Sequence, residues 1–434
     1  MAAAVDATPT MPEPIVAQEQ PTKKMKLEED TKLWDATQSF CSKWGKDSDA
    51  LGVRNVLAVF YMLAKLQAAG HTERPAFMDH FPKDERWFDY VGRFLAIYLR
   101  DTTAVGNALR LSSTTKELIA KGMDGVKVET LSNTDGPDVW AGMINADCNK
   151  ATKEKIPEIV DADSLSDPDF QMCAMAAEFI KGKFVNEFKG TTEADAPFYG
   201  VAGGSADGTC HMMKHDDLNN AGGGTLVWTG ETCKAALLPT LTSDGTPTDF
   251  YVVAVLPNPD EATLTTKQTK PESLDAALEE IKNNCAGLRQ VVREQQRSHT
   301  MVHLPRMERR MKPFDLTKHC DELLPKGLMA GLDKIAEEED EEKGWIKSPM
   351  HVNKVLHATY IKVNETGFEA AAATAVICFR SLGGSDGPPP EILRFNRGFL
   401  LYIMDLGDTP HVLYHARVTS DAGLKSAPAA PKEE

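Results

Sequence analysis

The stretch that most constrains this chain runs from Val363 to Leu382 and reads V-N-E-T-G-F-E-A-A-A-A-T-A-V-I-C-F-R-S-L. Its centre, Ala370 to Ala375, is a run of small residues with one Thr. Gly and Pro are absent from Phe368 to Leu382, so nothing there forbids regular structure. Directly beyond come Gly383, Gly384, Ser385, Asp386, Gly387 and the prolines Pro388 to Pro390, which interrupt it. A segment able to become a strand therefore abuts one that cannot. Propensity by itself assigns the alanine run to a helix, since Ala is the best helix former.

The rest of the chain limits the contexts in which that juxtaposition can occur. It has 434 residues, 26% charged, with a formal net charge of −16. That balance fits an ordinary globular protein and argues against nucleic acid as the main partner. No apolar run reaches the roughly 18 residues of a membrane span, so no membrane partner is expected. Met1 to Glu29 carries four prolines and no signal-peptide core. It reads as a disordered extension, and Lys23-Lys24-Met25-Lys26 within it as either a solvated basic cluster or a nuclear import signal. Eight cysteines lie scattered without a CxxC. Free thiols in a reducing, intracellular compartment are the expectation, and neither metal nor cofactor is expected.

Local patterns place the elements. Asp30 is the expected cap of a helix carrying Leu33, Thr37, Phe40 and Trp44. Val53 to Leu66 is apolar on nearly every face and reads as a buried helix. A third helix is expected from Asp84 through Trp87, Phe88, Val91, Phe94, Leu95 and Tyr98. A fourth is expected from Met143 to Ile159, interrupted at Pro157. Thr225–Trp228, Phe250–Leu256 and Val355–Val363 read as strands, and Ser273 as the cap of one long helix to about Gln296. Phe399–Met404 and Val412–Val418 flank Gly407-Asp408-Thr409-Pro410 as a hairpin. Ala422 to Glu434 reads as a low-complexity tail. Helices early and strands late, without regular alternation, predict an α+β fold.

Isolated chemical signals are weak. The glycine pairs and triplets at Gly203-Gly204 and Gly222-Gly223-Gly224 lack phosphate-loop spacing. His211 and His215 stand four apart, with no HExxH and no evident third ligand. Glu337 to Glu342 is a self-repelling acidic run. Arg306, Arg309, Arg310 and Lys312 form the one local basic cluster, read as a solvated face in preference to a polyanion site.

The pattern V-N-E-x-G-x-E-A-A-A-A-T at Val363 to Thr374 resembles the reactive-loop hinge of the serpin family. Phe395-Asn396-Arg397-Gly398-Phe399 resembles that family's F-N-R-P-F signature, with Gly398 in place of proline. Further stretches are similar to family motifs: Ile144-Asn145 with Thr152 and Lys155-Ile156, Phe179-Ile180-Lys181-Gly182-Lys183-Phe184, Met212-Met213, and His303-Leu304-Pro305 with Phe314-Asp315-Leu316. The resemblance covers about residues 30 to 420, between the extension at 1–29 and a tail at 421–434. It implies one domain of three β-sheets and about nine helices, with a mixed central sheet and a reactive loop over about residues 365–394 exposed above it.

The resemblance also implies activity as a suicide inhibitor rather than an enzyme. A target protease, of the serine or also the cysteine class, cuts the loop and is trapped as an acyl-ester. The freed hinge then enters the central sheet of this metastable, monomeric fold. The hinge comprises Glu365, Gly367, Phe368, Glu369, Ala370, Ala371, Ala372, Ala373 and Thr374. Hinge length points to Ser381-Leu382 by the commoner count and Arg380-Ser381 by the shorter; arginine suits a trypsin-like pocket, so Arg380-Ser381 is the preferred bond. Glu365 and Arg306 stand where the family has an ion pair. His357 matches a histidine buried beneath the sheet, whose usual partners fall at Ala176, Gly52 and Asn55, leaving Asn55 as its expected hydrogen-bond partner.

Two departures set the competing expectation, a non-inhibitory binding or structural member of the family. Phe368 stands at the first inserted position, where a small polar residue is usual, and its bulk obstructs insertion unless the facing cavity is enlarged. The buried cluster around His357 is depleted. Asn364-Glu365-Thr366 is the chain's only N-glycosylation sequon, and a glycan there would press on the insertion site. That favours either an intracellular, cytoplasmic protein or an unmodified sequon, the second leaving open the extracellular space that is the family default.

Overall fold

The structure, a computed structural model, describes residues 23–46, 49–70, 78, 81, 93–100, 126–168, 170–188, 192–203, 208–215, 224–242, 244–320, 352–368 and 389–424. Among these residues, helices and strands pack as an α+β unit around two hydrogen-bonded sheets, one of fifteen strands and one of four. Where three sheets are expected, two of them run into one. The short strand Gly182–Phe184 joins them, pairing with Gly367–Phe368 on one side and Cys233–Leu241 on the other. In the smaller sheet, Leu304 and Pro305 lie opposite Met213 and Met212, which brings the two short motifs read from the sequence into register.

The helix Val53–Gly70 is buried along Val53–Ala64, as its all-round apolar pattern requires, and packs beneath the large sheet. The C-terminal hairpin Phe399–Asp405 and His411–Val418 forms the other half of the core. No helix among the described residues is long and apolar enough to cross a membrane.

Four expected elements differ. The first helix runs Lys23–Trp44, so Asp30 lies inside it, and the segment expected to be a disordered extension supplies its first turns. Phe94, Leu95 and Tyr98 belong to a strand, Arg93–Arg100, clamped between Met172–Phe179 and Lys127–Leu131. A short run apolar on both faces satisfies either element, and the two ladders decide it. The third described long helix is Pro137–Ala151, opening with Pro at its first position and ending well before Pro157, where Thr152 Oγ1 turns back to Cys148 O. The expected single helix from Ser273 is two, Pro271–Asn283 and Cys285–Arg293, broken at Asn284.

Candidate functional site

The strand Lys354–Asn364 is the axis of the site. It is buried on both faces over most of its length, the pattern of a strand inside a covered sheet. One edge takes Met307–Arg310 and Phe314–Asp315. The other edge is shared. Lys354 to Tyr360 pair in parallel with Cys173 to Phe179, while Val363 and Asn364 pair antiparallel with Phe368 and Gly367. Below, two strands lie directly side by side; above, the first hinge residues stand between them. Gly182–Phe184, the onward run of the Met172–Phe179 strand, closes the far side of Gly367–Phe368.

The reversal at the top is built by Asn364. Its Oδ1 accepts from the Thr366 N–H at 3.1 Å, the Thr366 hydroxyl at 2.9 Å and the Gly367 N–H at 3.2 Å. This is an Asx turn of the kind that competes with continued strand. The Phe184 N–H then donates to Thr366 O (3.0 Å) and the Phe188 N–H to Glu365 O (2.8 Å).

The expected ion pair is present. Arg306 Nε donates to both Glu365 oxygens (2.8 and 3.0 Å) and Nη2 lies 2.6 Å from Oε1. The Thr192 hydroxyl also donates to Oε1. Burial pushes the Glu365 carboxyl upward, but the hydrogen bonds from Arg306 and Thr192 outweigh it and hold the group below its ordinary range. The basic cluster is therefore split among structural duties: Arg309 is buried beside Asp49, and Arg310 lies over the Tyr360 ring.

Beneath the parallel ladder sits His357, 1% exposed. Its Nε2 accepts from the Gly52 N–H at 3.1 Å, so Nδ1 carries the proton and donates to Ala176 O at 3.0 Å. Burial drives its pKa down to about 4 against the opposing bond to Ala176. Asn55 is not its partner: the Asn55 amide donates to Ala177 O at 2.8 Å. The depleted cluster is thus rebuilt from backbone groups, and His357 and Asn55 tether the strands to the start of the Val53–Gly70 helix. Glu178, buried on the same side, occupies the space left by Gly52, where any Cβ would strike its carboxylate.

The space facing Phe368 is enlarged, as a residue of that bulk requires at this position. Its ring is 2% exposed, and the facing position is Gly182, where an added Cβ would run into the ring at Cζ. Gly367 (φ +153°) approaches so closely that a side chain there would meet the Gly182 carbonyl. Gly182 stood in the sequence only as part of the motif at 179–184, and Glu178 not at all, because their partners are set by register across strands. Glu369 to Thr374, the Arg380-Ser381 bond and Leu382 lie outside the described residues. Among the described residues no cluster could hold a metal ion, and His211 and His215 stay on one strand without further ligands.

The F-N-R segment anchors the chain beyond the loop. Phe395 and Phe399 are buried edge to face, 5.4 Å apart, and Arg397 donates through both Nη atoms to Pro257 O at 3.0 and 2.9 Å.

The family model described as Serpin (serine protease inhibitor) matches residues 106–420. The chain is 24% identical over 288 residues to Antithrombin-III of Mus musculus, covering 65% of this chain and 54% of that protein. The chain thus spans about half the length of that relative. In three dimensions it is similar to Serpin48 of Tenebrio molitor, with a TM-score of 0.61, 17% identity and coverage of 92% of this chain and 99% of that one. It is likewise similar to Manduca sexta Serpin-12, with a TM-score of 0.64, 14% identity and coverage of 91% and 99%.

Proposed function

The chain belongs to the serpin (serine protease inhibitor) family, and from that premise we propose that it traps a serine endopeptidase of trypsin-like specificity. The protease's serine oxygen attacks the Arg380 carbonyl, the Ser381 amine departs with a proton, and an ester joins Arg380 to the enzyme. The chain from Glu369 onward, now free at Arg380, follows Gly367–Phe368 into the sheet and carries the protease with it.

The observation that supports this is the shared edge of the Lys354–Asn364 strand. The hinge already turns back along it in the antiparallel sense, and the strand it would displace is held there only in parallel. Insertion exchanges one parallel ladder for two antiparallel ones, which are slightly more stable per residue and more numerous. The test is incubation with trypsin followed by denaturing electrophoresis. A covalent complex is expected; clean cleavage without a complex, and without a rise in Tm, would defeat the reading.

A second reading, a serpin-fold binding protein that traps nothing, draws on the buried Phe368 ring, which ties down the hinge. The same gel separates the two. We infer that the protein acts inside the cell, because the Asn364 side chain of the only sequon is engaged in the turn that starts the hinge.

A further inference from the structure

Phe368 is held by more than its strand. Its ring fills the space that any side chain at Gly182 would take, within the same buried cluster as Phe184, Phe188 and Val363. Just before it in the chain, the Thr366 and Glu365 carbonyls accept from Phe184 and Phe188, and Glu365 is clasped by Arg306. Ring and glycine are complementary: a large residue at the first inserted position coincides with an absent side chain directly opposite.

We propose that Phe368 and Gly182 form a ring-and-socket lock. The lock keeps the first two hinge residues in the sheet before any protease arrives. It also keeps the strand position beneath them closed to any other strand. The second part rests on the reading that this position is the one the cleaved loop takes. The reasoning is geometric. With Gly367–Phe368 withdrawn, Val363–Asn364 and Gly182–Phe184 would face each other with unpaired N–H and C=O groups at the mouth of the parallel ladder. Such a gap is a template for strand addition. With the ring seated, those groups are paired and an incoming strand has no entry edge.

The experiment uses the full chain without protease, in three forms: unaltered, Gly182→Ala and Phe368→Ala. Gly182→Ala evicts the ring and Phe368→Ala removes it. In both, the Phe184 and Phe188 amides are expected to exchange with deuterium roughly ten-fold faster or more, while amides of the Phe399–Asp405 strand keep their protection. Both variants should take up a synthetic peptide matching residues 365–378, with a rise in Tm, and the unaltered protein should not. Adding Gly182→Ala to Phe368→Ala should change nothing further, since no ring remains to be struck. Unchanged exchange in Phe368→Ala, or peptide uptake by the unaltered protein, overturns the lock. If Gly182→Ala disturbs the remote strand as well, Phe368→Ala decides alone. Because no protease is present, failure to form a covalent complex would remove the inhibitor reading and leave the exchange result standing.

Discussion

His357 donates through Nδ1 to the Ala176 carbonyl across the parallel ladder, 3.0 Å away, while its other nitrogen takes the Gly52 N–H. One neutral ring thus ties two strands and a helix start together. The bond to Ala176 spans the ladder that the proposed insertion would open, so on that proposal the state of this ring bears on how tightly the sheet stays shut.

The first prediction concerns acid. The folded-state pKa of His357 is depressed to about 4 from 6.5, because burial disfavours the charged ring. The unfolded chain therefore binds the proton first. The stabilisation is complete above pH 6.5 and is lost as pH falls through about 4. His411 and His415, pushed down to about 3 by burial, act in the same direction. Denaturant unfolding followed from pH 7 to pH 4 should show falling stability, with a shallower fall in His357→Gln. An equal slope in that variant would assign the effect to the other histidines.

The clasp on Glu365 carries the second prediction. Arg306→Ala leaves a half-buried carboxylate with Thr192 as its remaining side-chain partner. The expected loss is about 1–3 kcal/mol, nearer the lower end because both groups keep some contact with water. The Glu365 pKa is lowered below 4.5, so the contribution is present above that pH and lost as pH falls through the folded value. Thermal unfolding of Arg306→Ala beside Glu365→Gln reads both effects, and the acid-dependent part should vanish in the second.

Restoring proline at position 398, as the family motif has it, should harm this protein. The Gly398 N–H donates to Gly200 O at 2.9 Å, and a Cβ there would lie 2.5 Å from Val201 Cγ2 and 3.1 Å from Thr269 Cβ. Gly398→Pro loses the bond and overpacks the contact, at a cost of about 2–4 kcal/mol in a denaturant titration. A neutral outcome would mean that the segment shifts as a unit.

The reactive bond can be located by sequencing the fragment released by a trypsin-like enzyme. Ser381 is the expected first residue, and Arg380→Glu should slow cleavage about a hundredfold or more, since the charged pocket is left without its partner. A fragment beginning at Leu382 would move the bond one residue on.

Motifs held in consecutive residues were legible: the hinge pattern, the F-N-R segment and the all-apolar helix at Val53 each rest on local spacing. Elements whose identity depends on a neighbour were not. Arg93–Arg100 looked helical until its two ladders made it a strand, and the long helix after Pro271 broke at Asn284. The partners of His357 were misjudged because backbone groups, which every residue carries, replaced the missing side chains.

Returning to the stretch at Val363, its amino-acid order alone set out a segment free of Gly and Pro from Phe368 to Leu382, ahead of a Gly- and Pro-rich tether. It also placed a bulky Phe368 where small residues are usual. Whether that ring blocks or seats could be decided only in three dimensions. Hydrogen-bond register sets Phe368 opposite Gly182, and register arises between strands far apart in the chain, where no local pattern records it.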